Sequence, residues 1–172
     1  MHPSAQKVAD AARQLGLRVE IVEFEETTRT AQDAANAIGK HSSGIGCQVG
    51  QIVKSLLFVA DGQPVMALVS GANRLDERKL AALRGVGRKK IKRADADTAK
   101  AVTGFSIGGV PPFGHTSRLP VYVDEDLTSF EVVWAAAGTP FAVFAITPEE
   151  LVRASGGVVA DLAVDANPIQ AT

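Results

Sequence analysis

Lys54 is the residue of this chain whose surroundings point most directly to chemistry. It lies within Ile52-Val53-Lys54-Ser55-Leu56-Leu57-Phe58-Val59-Ala60, a run that is apolar at nearly every position. An ammonium group in such a run has a large desolvation cost unless it faces a cleft or a partner. Lys54 is therefore a candidate cleft residue. The alternative is a lysine whose stem packs on apolar neighbours while its end reaches solvent.

A second candidate for a functional site is the glycine- and proline-rich loop between Gly104 and His115, with Gly108-Gly109-Val110-Pro111-Pro112 at its centre. Glycine lets a ligand approach the main chain closely, and proline fixes φ and removes an N–H donor. This composition favours a rigid pocket wall, with an ordinary tight turn as the alternative. His115 is a candidate to bind or position a substrate, and a surface role is the other interpretation.

Nucleophiles and metal ligands are scarce. Ser106 lies near His115 in sequence, but no Gly-x-Ser-x-Gly motif surrounds it. Cys47 is the single cysteine, so it cannot form an internal disulfide, and its usual role would be a small buried side chain. With three histidines and one cysteine, the sequence has no cluster with the spacing of a metal site. We expect neither a metal nor another cofactor.

The charge pattern limits contact with nucleic acid to a local surface. The net charge is −1, which argues against a protein that coats nucleic acid, and we expect no DNA partner. One window is nevertheless strongly basic, through Arg84, Arg88, Lys89, Lys90, Lys92 and Arg93. This basic run is either a solvated helix end and loop or a phosphate-binding rim.

The 172 residues fit one domain, 1–172, with its core at about 5–160. No apolar run approaches the roughly 20 residues needed to cross a bilayer, so we expect no membrane partner. The N-terminal residues lack the charged and apolar regions of a signal peptide, so a cytoplasmic location is expected.

The elements that must position these residues can be read from apolar periodicity and capping signals. The first half of the chain predicts a helix over 5–15, a short strand over 19–24, a helix capped by Thr30 and ended by Gly39, a loop over 40–46 and a helical turn within 47–51. The run around Lys54 predicts a strand covered on both faces, and Asp61-Gly62 predicts a hairpin to a second strand over 64–69.

The second half of the chain predicts further helices and strands. Helices are expected over 73–83, from a cap at Asp95 through 102, and from the Thr147-Pro148 start to Gly156. Strands are expected over 119–123, 132–136 and 140–146. The fold class is therefore mixed α/β (α+β), with part of the sheet antiparallel.

Four segments in order give the chain a resemblance to a known family. They are Val49-Gly50-Gln51-Ile52-Val53-Lys54-Ser55-Leu56, Ser70-Gly71-Ala72-Asn73-Arg74-Leu75-Asp76, the loop from Gly108 to Pro112, and Ala137-Gly138-Thr139-Pro140. Together they resemble the YbaK/ProX family, free-standing relatives of the editing domain of bacterial prolyl-tRNA synthetase, over about residues 5–160. The resemblance implies a curved, mixed, mostly antiparallel sheet flanked by helices.

The resemblance also implies an activity, which is hydrolysis of the ester that joins a wrong amino acid to the 3′ end of a tRNA. Lys54 corresponds to the lysine on which activity in the family most depends. The resemblance assigns substrate binding to Gly108, Gly109, Val110, Pro111, Pro112, Gly138 and Thr139, and a less secure role to His115. The basic run offers Arg84, Arg88, Lys89 and Lys90 as tRNA contacts. The implied partners are a mischarged tRNA and a prolyl-tRNA synthetase.

Two departures from the family leave the amino acid open. Residues 40–46 read as an insertion beside the pocket entrance, and the sequence from Gly108 to His115 differs from that of the best-known cysteinyl-tRNA(Pro) deacylases. Alanine, cysteine, serine and threonine esters, on tRNA(Pro), are the expected substrates. A non-catalytic binding module of the same fold is one alternative, and a different hydrolase using Ser106 or Cys47 is another.

Overall fold

A computed structural model of the protein describes residues 1–41 and 46–165. Within these ranges the chain forms five α-helices and eight strands. The strands form one mixed sheet with helices on both faces, so the expected mixed α/β class is confirmed. The helices are α1 Pro3–Gln14, α2 Ala31–His41, α3 Glu77–Arg84, α4 Ala96–Thr103 and α5 Pro148–Ser155. The strands are β1 Ile21–Glu23, β2 Ile52–Ala60, β3 Gln63–Ser70, β4 Ile91–Arg93, β5 Val121–Asp124, β6 Val133–Ala136, β7 Ala142–Ile146 and β8 Val158–Ala160.

The strand order in the sheet is β1-β7-β6-β2-β3-β5-β8, and β4 pairs separately with β2. The pairs β1·β7, β6·β7, β2·β3 and β2·β4 are antiparallel, whereas β2·β6, β3·β5 and β5·β8 are parallel. The β2–β3 hairpin turns at Asp61 (φ 48°) and Gly62 (φ 80°), the left-handed pair typical of a tight two-residue connection. The expected hairpin is therefore present.

One edge of β2 is only partly paired. β3 runs along its whole length on one side. On the other side, β6 pairs with Ile52 and Val53, and β4 pairs with residues 58–60. Among the described residues, no strand pairs with residues 54–57 on that edge, which leaves a gap in the middle of the sheet.

The central strands are buried on both faces, which explains their almost continuous apolar sequences. One face packs against α1, α4 and α5, and the core there includes Val8, Leu57, Ala99, Val123 and Leu151. The other face packs against α3 through Phe58, Val65, Val69 and Leu80. α2 covers the end of this second face through Ala34, Ile38, Ile52 and Val143.

The helix starts lie at the predicted caps. Thr30 Oγ1 accepts a hydrogen bond from Asp33 N at 3.0 Å, and Thr147 Oγ1 accepts one from Glu150 N at 3.2 Å. Asp95 caps α4 by accepting from Thr98 N at 2.8 Å. Each cap satisfies an N–H group that the helix itself leaves unpaired.

Two predicted boundaries are wrong. α2 does not end at Gly39 but continues through His41, because Gly39 does not adopt the left-handed conformation that usually stops a helix at glycine. The predicted helix over 73–83 begins only after the cap Asp76, because the side chain of Asn73 is instead hydrogen-bonded to two aspartates. Of the loop predicted over 40–46, residues 42–45 lie outside the described residues.

The sequence analysis did not predict two of the strands, β4 and β8. Each has three residues, and β4 lies inside the basic run, where the sequence shows no apolar alternation. Their pairing partners in β2 and β5 lie 31 to 36 residues away in sequence, so these two strands are defined only by tertiary contacts. No helix among the described residues is long and apolar enough to cross a membrane.

Candidate functional site

A cavity of about 180 Å³ opens at the gap in the sheet beside β2. Its walls come from the segment before α2, from β2, β4, the Gly108 loop, β6 and β7. They are Thr28, Arg29, Thr30, Ala31, Ala34, Ile52, Val53, Lys54, Ser55, Leu56, Arg93, Ile107, Gly108, Val110, Trp134, Ala135, Ala136 and Val143. As far as the described residues go, this lining has three cationic side chains and no Asp, Glu or His. It therefore suits a small ligand that carries negative charge at one end.

Lys54 lies half-buried in this lining, where the sequence predicted a cleft residue. Its Nζ donates to the backbone carbonyl of Asn73. An ammonium group has three donors, so this contact fixes the side chain and leaves two N–H groups for a ligand. Lys54 therefore has the cleft that its unusual sequence context requires.

A buried carboxylate holds the carbonyl that fixes Lys54. Asp124 is fully buried, and its Oδ2 accepts from Ser70 N at 3.0 Å and from Asn73 Nδ2 at 2.9 Å. Its Oδ1 accepts from Asp126 N at 3.0 Å, and Asp126 in turn accepts from Asn73 Nδ2 at 2.7 Å. The turn after β3 is thereby tied to the end of β5, and Asn73 O is held against Lys54.

The charge state of Lys54 depends on opposing influences. Burial is the largest of them and lowers the pKa of the Lys54 ammonium below its ordinary value. The negative charge of Asp124 acts in the opposite direction, while the positive charge of Arg93 lowers this pKa further. An anionic ligand in the cavity would favour the charged form of Lys54 and offset part of the free-energy cost of burying its ammonium group.

The glycine loop is locked to the turn between β6 and β7 by direct backbone contact. Gly138 N donates to Gly109 O at 2.9 Å. A Cβ on Gly109 would lie 2.7 Å from the carbonyl carbon and oxygen of Gly138 and from Thr139 Cα. Gly138 itself has φ 94° and packs against the backbone of Ser4 in α1. Only glycine permits so close an approach.

The other residues assigned to substrate binding divide into two groups. Gly108 and Val110 line the cavity, whereas Gly109, Gly138 and the buried Thr139 lie behind its wall. Pro111 and Pro112 are buried and are also outside the lining. The structure thus brings Gly108 and Val110 to the same cavity as Lys54, and the β6–β7 turn is hydrogen-bonded to the loop at Gly109.

His115 lies elsewhere, in a second cavity of about 270 Å³ near the ends of α1 and α5. Its Nε2 is 2.7 Å from Pro111 O, so the neutral ring carries its proton on Nε2 and donates to that carbonyl. The contact ties the His115 ring to the glycine loop. Burial lowers the pKa of His115, and the hydrogen bond to Pro111 opposes this effect.

The lowered pKa of His115 predicts a pH dependence of stability. Below pH 6.5, the ordinary value, the unfolded chain protonates His115 more readily than the folded chain. Stability should therefore fall as the pH falls from 6.5 towards the lower pKa of the folded state. We expect urea unfolding between pH 7.5 and 5 to show a smaller loss for His115→Gln, whose amide can still donate to Pro111 O. Equal pH slopes for the two proteins would contradict the assignment.

The basic run begins at the cavity and leads away from it. Arg93, at the end of β4, lines the cavity and lies over the Phe58 ring at 5.5 Å from the centroid. The predicted tRNA contacts Arg84, Arg88, Lys89 and Lys90 precede it, none of them in the cavity lining. Arg88 pairs with Glu77, Arg84 donates to Tyr122 OH at 3.3 Å, and Lys90 is 4.0 Å from Asp61.

Sequence reasoning missed several of the cavity residues. Arg29 precedes α2, and its Cγ would lie 3.5 Å from a Cβ at Gly108. Trp134 is half-buried and lines the cavity, as does Ser55. The local sequence of Thr27-Thr28-Arg29-Thr30 predicts only the helix cap. The position of this segment at the cavity depends on hydrogen bonds from Thr28 to Pro140, which is distant in sequence.

The two alternative nucleophiles are not in the cavity lining. Ser106 is exposed on the loop. Cys47 is half-buried, its Sγ is 3.5 Å from Gln48 O, and burial raises the pKa of its thiol. A raised pKa makes the reactive thiolate rarer at neutral pH. Among the described residues, no three His, Cys, Asp or Glu side chains are grouped as metal ligands would be.

This architecture and this site define a class of protein. The family model described as the aminoacyl-tRNA editing domain matches residues 25–154, and the chain belongs to that family. The matched range contains Lys54, the glycine loop and the β6–β7 turn. The resemblance drawn from the four sequence segments is thereby confirmed.

Individual relatives agree with the family assignment. A crystal structure of a candidate trans-editing enzyme for prolyl-tRNA synthetase is 44% identical, has a TM-score of 0.87, and matches over 96% of this chain and 99% of that one. EbsC of Enterococcus faecalis, named as a candidate Cys-tRNA(Pro)/Cys-tRNA(Cys) deacylase, is 28% identical over 70% of this chain and 73% of EbsC. Proline–tRNA ligase of Nitratidesulfovibrio vulgaris (strain DP4) is 38% identical over 54% of this chain, but that match spans only 16% of the ligase.

Proposed function

We propose that this protein is an aminoacyl-tRNA deacylase that acts in trans on mischarged tRNA. The substrates are esters of small amino acids such as alanine, cysteine, serine or threonine, with tRNA(Pro) as the acceptor. The observation that carries the proposal is the small cavity at the gap in the sheet, with the Lys54 ammonium in its wall and Arg29 and Arg93 beside it. A tRNA substrate would place the reaction in the cytoplasm.

The proposed reaction is hydrolysis of an ester without a protein nucleophile. Water adds to the ester carbonyl carbon, the bond to the ribose oxygen breaks, and a free amino acid and a tRNA 3′-hydroxyl are released. The two free N–H groups of Lys54 would stabilise the negative charge that develops on the carbonyl oxygen. The described part of the cavity lining contains no carboxylate or imidazole to act as a base, so a ribose hydroxyl of the substrate would help to orient the water.

The size of the cavity favours small amino acids. At about 180 Å³, it is smaller than the roughly 300–1,000 Å³ of sites for drug-sized ligands. Most of its inner wall is apolar, including Ala31, Ile52, Val110 and Val143. A synthetase that distinguishes two amino acids by one methylene gains only about 1–3 kcal/mol of discrimination in the site where it charges the tRNA. A separate small pocket for editing is therefore expected.

The cations at the cavity would bind the phosphates at the tRNA 3′ end. Arg29 and Arg93 are exposed, and no described residue forms an ion pair with either. From Arg93 the basic run continues outward through β4 to residues 88–90. Arg84, Arg88, Lys89 and Lys90 would therefore contact the tRNA farther from its 3′ end. A prolyl-tRNA synthetase is the protein partner that the relatives favour.

Neutralising the two arginines at the cavity should weaken tRNA binding more than catalysis. We expect the double variant Arg29→Gln/Arg93→Gln to raise KM about tenfold at 0.1 M salt with kcat nearly unchanged. The slope of log(kcat/KM) against log[salt] should become shallower by about one for each lost phosphate contact. Arg18→Gln, on the surface away from the cavity lining, is the matched control. An unchanged slope in the double variant would rule out these phosphate contacts.

The test of the function itself is a panel of mischarged tRNAs. Alanyl, cysteinyl, seryl and threonyl esters on tRNA(Pro) and on their cognate tRNAs are incubated with the protein, and release of the amino acid is followed. Rapid loss of one or two esters is the expected result. Binding of tRNA without turnover would instead select a non-catalytic module, a reading favoured only by the lack of a base in the cavity lining.

A further inference from the structure

Asp124 is the one charged side chain among the buried residues that the structure describes. None of the described cations forms an ion pair with it. A buried charge is costly unless hydrogen bonds or an opposite charge compensate it. Three N–H groups donate to this carboxylate, from Ser70, Asn73 and Asp126. An ionised carboxylate only accepts hydrogen bonds, so three donors match it. Asp124 therefore places a negative charge inside the protein.

Asn73 connects this carboxylate to Lys54. Its backbone N–H donates to Ser70 O at 2.9 Å, and its side-chain amide donates to Asp124 at 2.9 Å and to Asp126 at 2.7 Å. Its carbonyl oxygen accepts from Lys54 Nζ. The hydrogen bonds thus run from the buried carboxylate, through a single residue, to the ammonium group of the cavity.

The turn that carries this carbonyl is also anchored before Asn73. Ser70 Oγ donates to Gly50 O at 2.7 Å, and Gly71 N donates to Ile52 O at 2.7 Å. Ile52 begins the strand that carries Lys54. The carbonyl that accepts from the ammonium therefore has a defined position relative to this strand.

The charge of Asp124 acts on Lys54 as well. Burial is the largest influence and lowers the pKa of the Lys54 ammonium, whereas Asp124 raises this pKa and Arg93 lowers it. Asp124 is thus the charged side chain that opposes burial. The charged form matters for the proposed reaction, because a positive group stabilises an oxyanion better than a neutral amine does.

We propose that Asp124 is a positioning residue of the proposed reaction and that it acts through Asn73 to direct the Lys54 ammonium into the cavity. The proposal rests on the proposed deacylase function and extends it to residues outside the cavity lining. Because Asp124 is fully buried, it would affect the rate of the bound complex more than the affinity for tRNA. The alternative is a role in the fold alone, since Asp124 also caps the short helix Glu125–Ser129.

Asp124→Asn tests the charge, because the amide keeps the shape of the carboxylate. We expect kcat at pH 7 to fall about 10- to 100-fold, with a much smaller change in KM. After subtraction of the uncatalysed rate, kcat should decrease at high pH as Lys54 loses its proton. This decrease should occur at lower pH in the variant, because the charge that favours the ammonium form is gone. A decrease at the same pH as in wild type would contradict the proposal.

Asp126→Asn is the matched control for this variant. Asp126 accepts from the same Asn73 amide at 2.7 Å, but it is exposed and is not one of the charges that shift the pKa of Lys54. Its pH profile should therefore coincide with that of wild type. An equal shift in Asp124→Asn and Asp126→Asn would show that the effect does not come from the buried charge.

Asn73→Ala separates direction from charge and remains informative if Asp124→Asn does not fold. It removes the amide that joins the two residues but keeps the backbone carbonyl and the Asp124 charge. We expect kcat to fall about tenfold, because the ammonium is directed less well. The decrease at high pH should stay closer to that of wild type than in Asp124→Asn. An unchanged kcat would rule out positioning through Asn73.

A measurement without substrate distinguishes failure of the deacylase proposal from failure of this one. NMR titration of the Lys54 side chain, with its signal assigned by its loss in Lys54→Met, reports the protonation midpoint directly. We expect a lower midpoint in Asp124→Asn than in wild type and in Asp126→Asn. If wild type cleaves no ester and the midpoint still falls, the deacylase function is wrong while the support of Lys54 by Asp124 stands. An unchanged midpoint would overturn the assignment of Asp124.

Discussion

Lys54→Met is expected to lose at least about 100-fold in kcat/KM for the ester that wild type clears best, while the protein remains folded. Methionine keeps the length and apolar packing of the stem but removes the donors that would stabilise the oxyanion, and loss of one such donor costs about 100- to 1,000-fold. Stability should not fall, because the charged group is desolvated in the folded state, as its lowered pKa indicates. Single-turnover deacylation and urea unfolding measure the two effects.

Lys100→Met is the control for this prediction. Lys100 also donates to a backbone carbonyl, Gly104 O at 3.2 Å, but it is exposed on α4 and outside the cavity. Its replacement should leave deacylation unchanged. If Lys54→Met kept the wild-type rate, the proposed role of the ammonium would be wrong even if the protein were a deacylase.

Gly109→Ala is expected to produce the second large effect, through the backbone. The new Cβ would lie 2.7 Å from the backbone atoms of Gly138 and Thr139, and none of these is the end of a flexible side chain. The loop must therefore move away from the β6–β7 turn. Such overpacking costs about 1–3 kcal/mol of stability. A displacement near 1 Å at a reacting site can cost about 100-fold in rate.

Gly39→Ala is the matched control for the backbone argument. Gly39 lies within α2, has no left-handed φ, and has no atom of a described residue within 4 Å of the position a Cβ would take. Alanine there should stabilise the protein by about 0.5–1 kcal/mol and leave the rate unchanged. Wild-type stability and rate in Gly109→Ala would show that the loop does not depend on this backbone contact.

Local signals in the sequence were sufficient for most of the elements. The caps at Thr30, Asp95 and Thr147, the Asp61-Gly62 turn and the run around Lys54 each depend on neighbours within a few residues, and the structure contains them all. The helix predicted from residue 73 failed because Asn73 is fixed by Asp124 and Asp126. Those partners lie some 50 residues away, beyond the reach of periodicity or propensity.

The sequence by itself marked Lys54 as a candidate cleft residue and the glycine loop as a candidate pocket wall, because both expectations follow from the chemistry of single residues. The family resemblance linked the two in one site. Only the tertiary structure decided what else lines the cavity, notably Arg29 from the segment before α2 and Arg93 from β4. The physical reason is that the cavity is a gap between β6 and β4 on one edge of β2. Strand pairing across distant parts of the chain sets such a gap, and no local pattern records it.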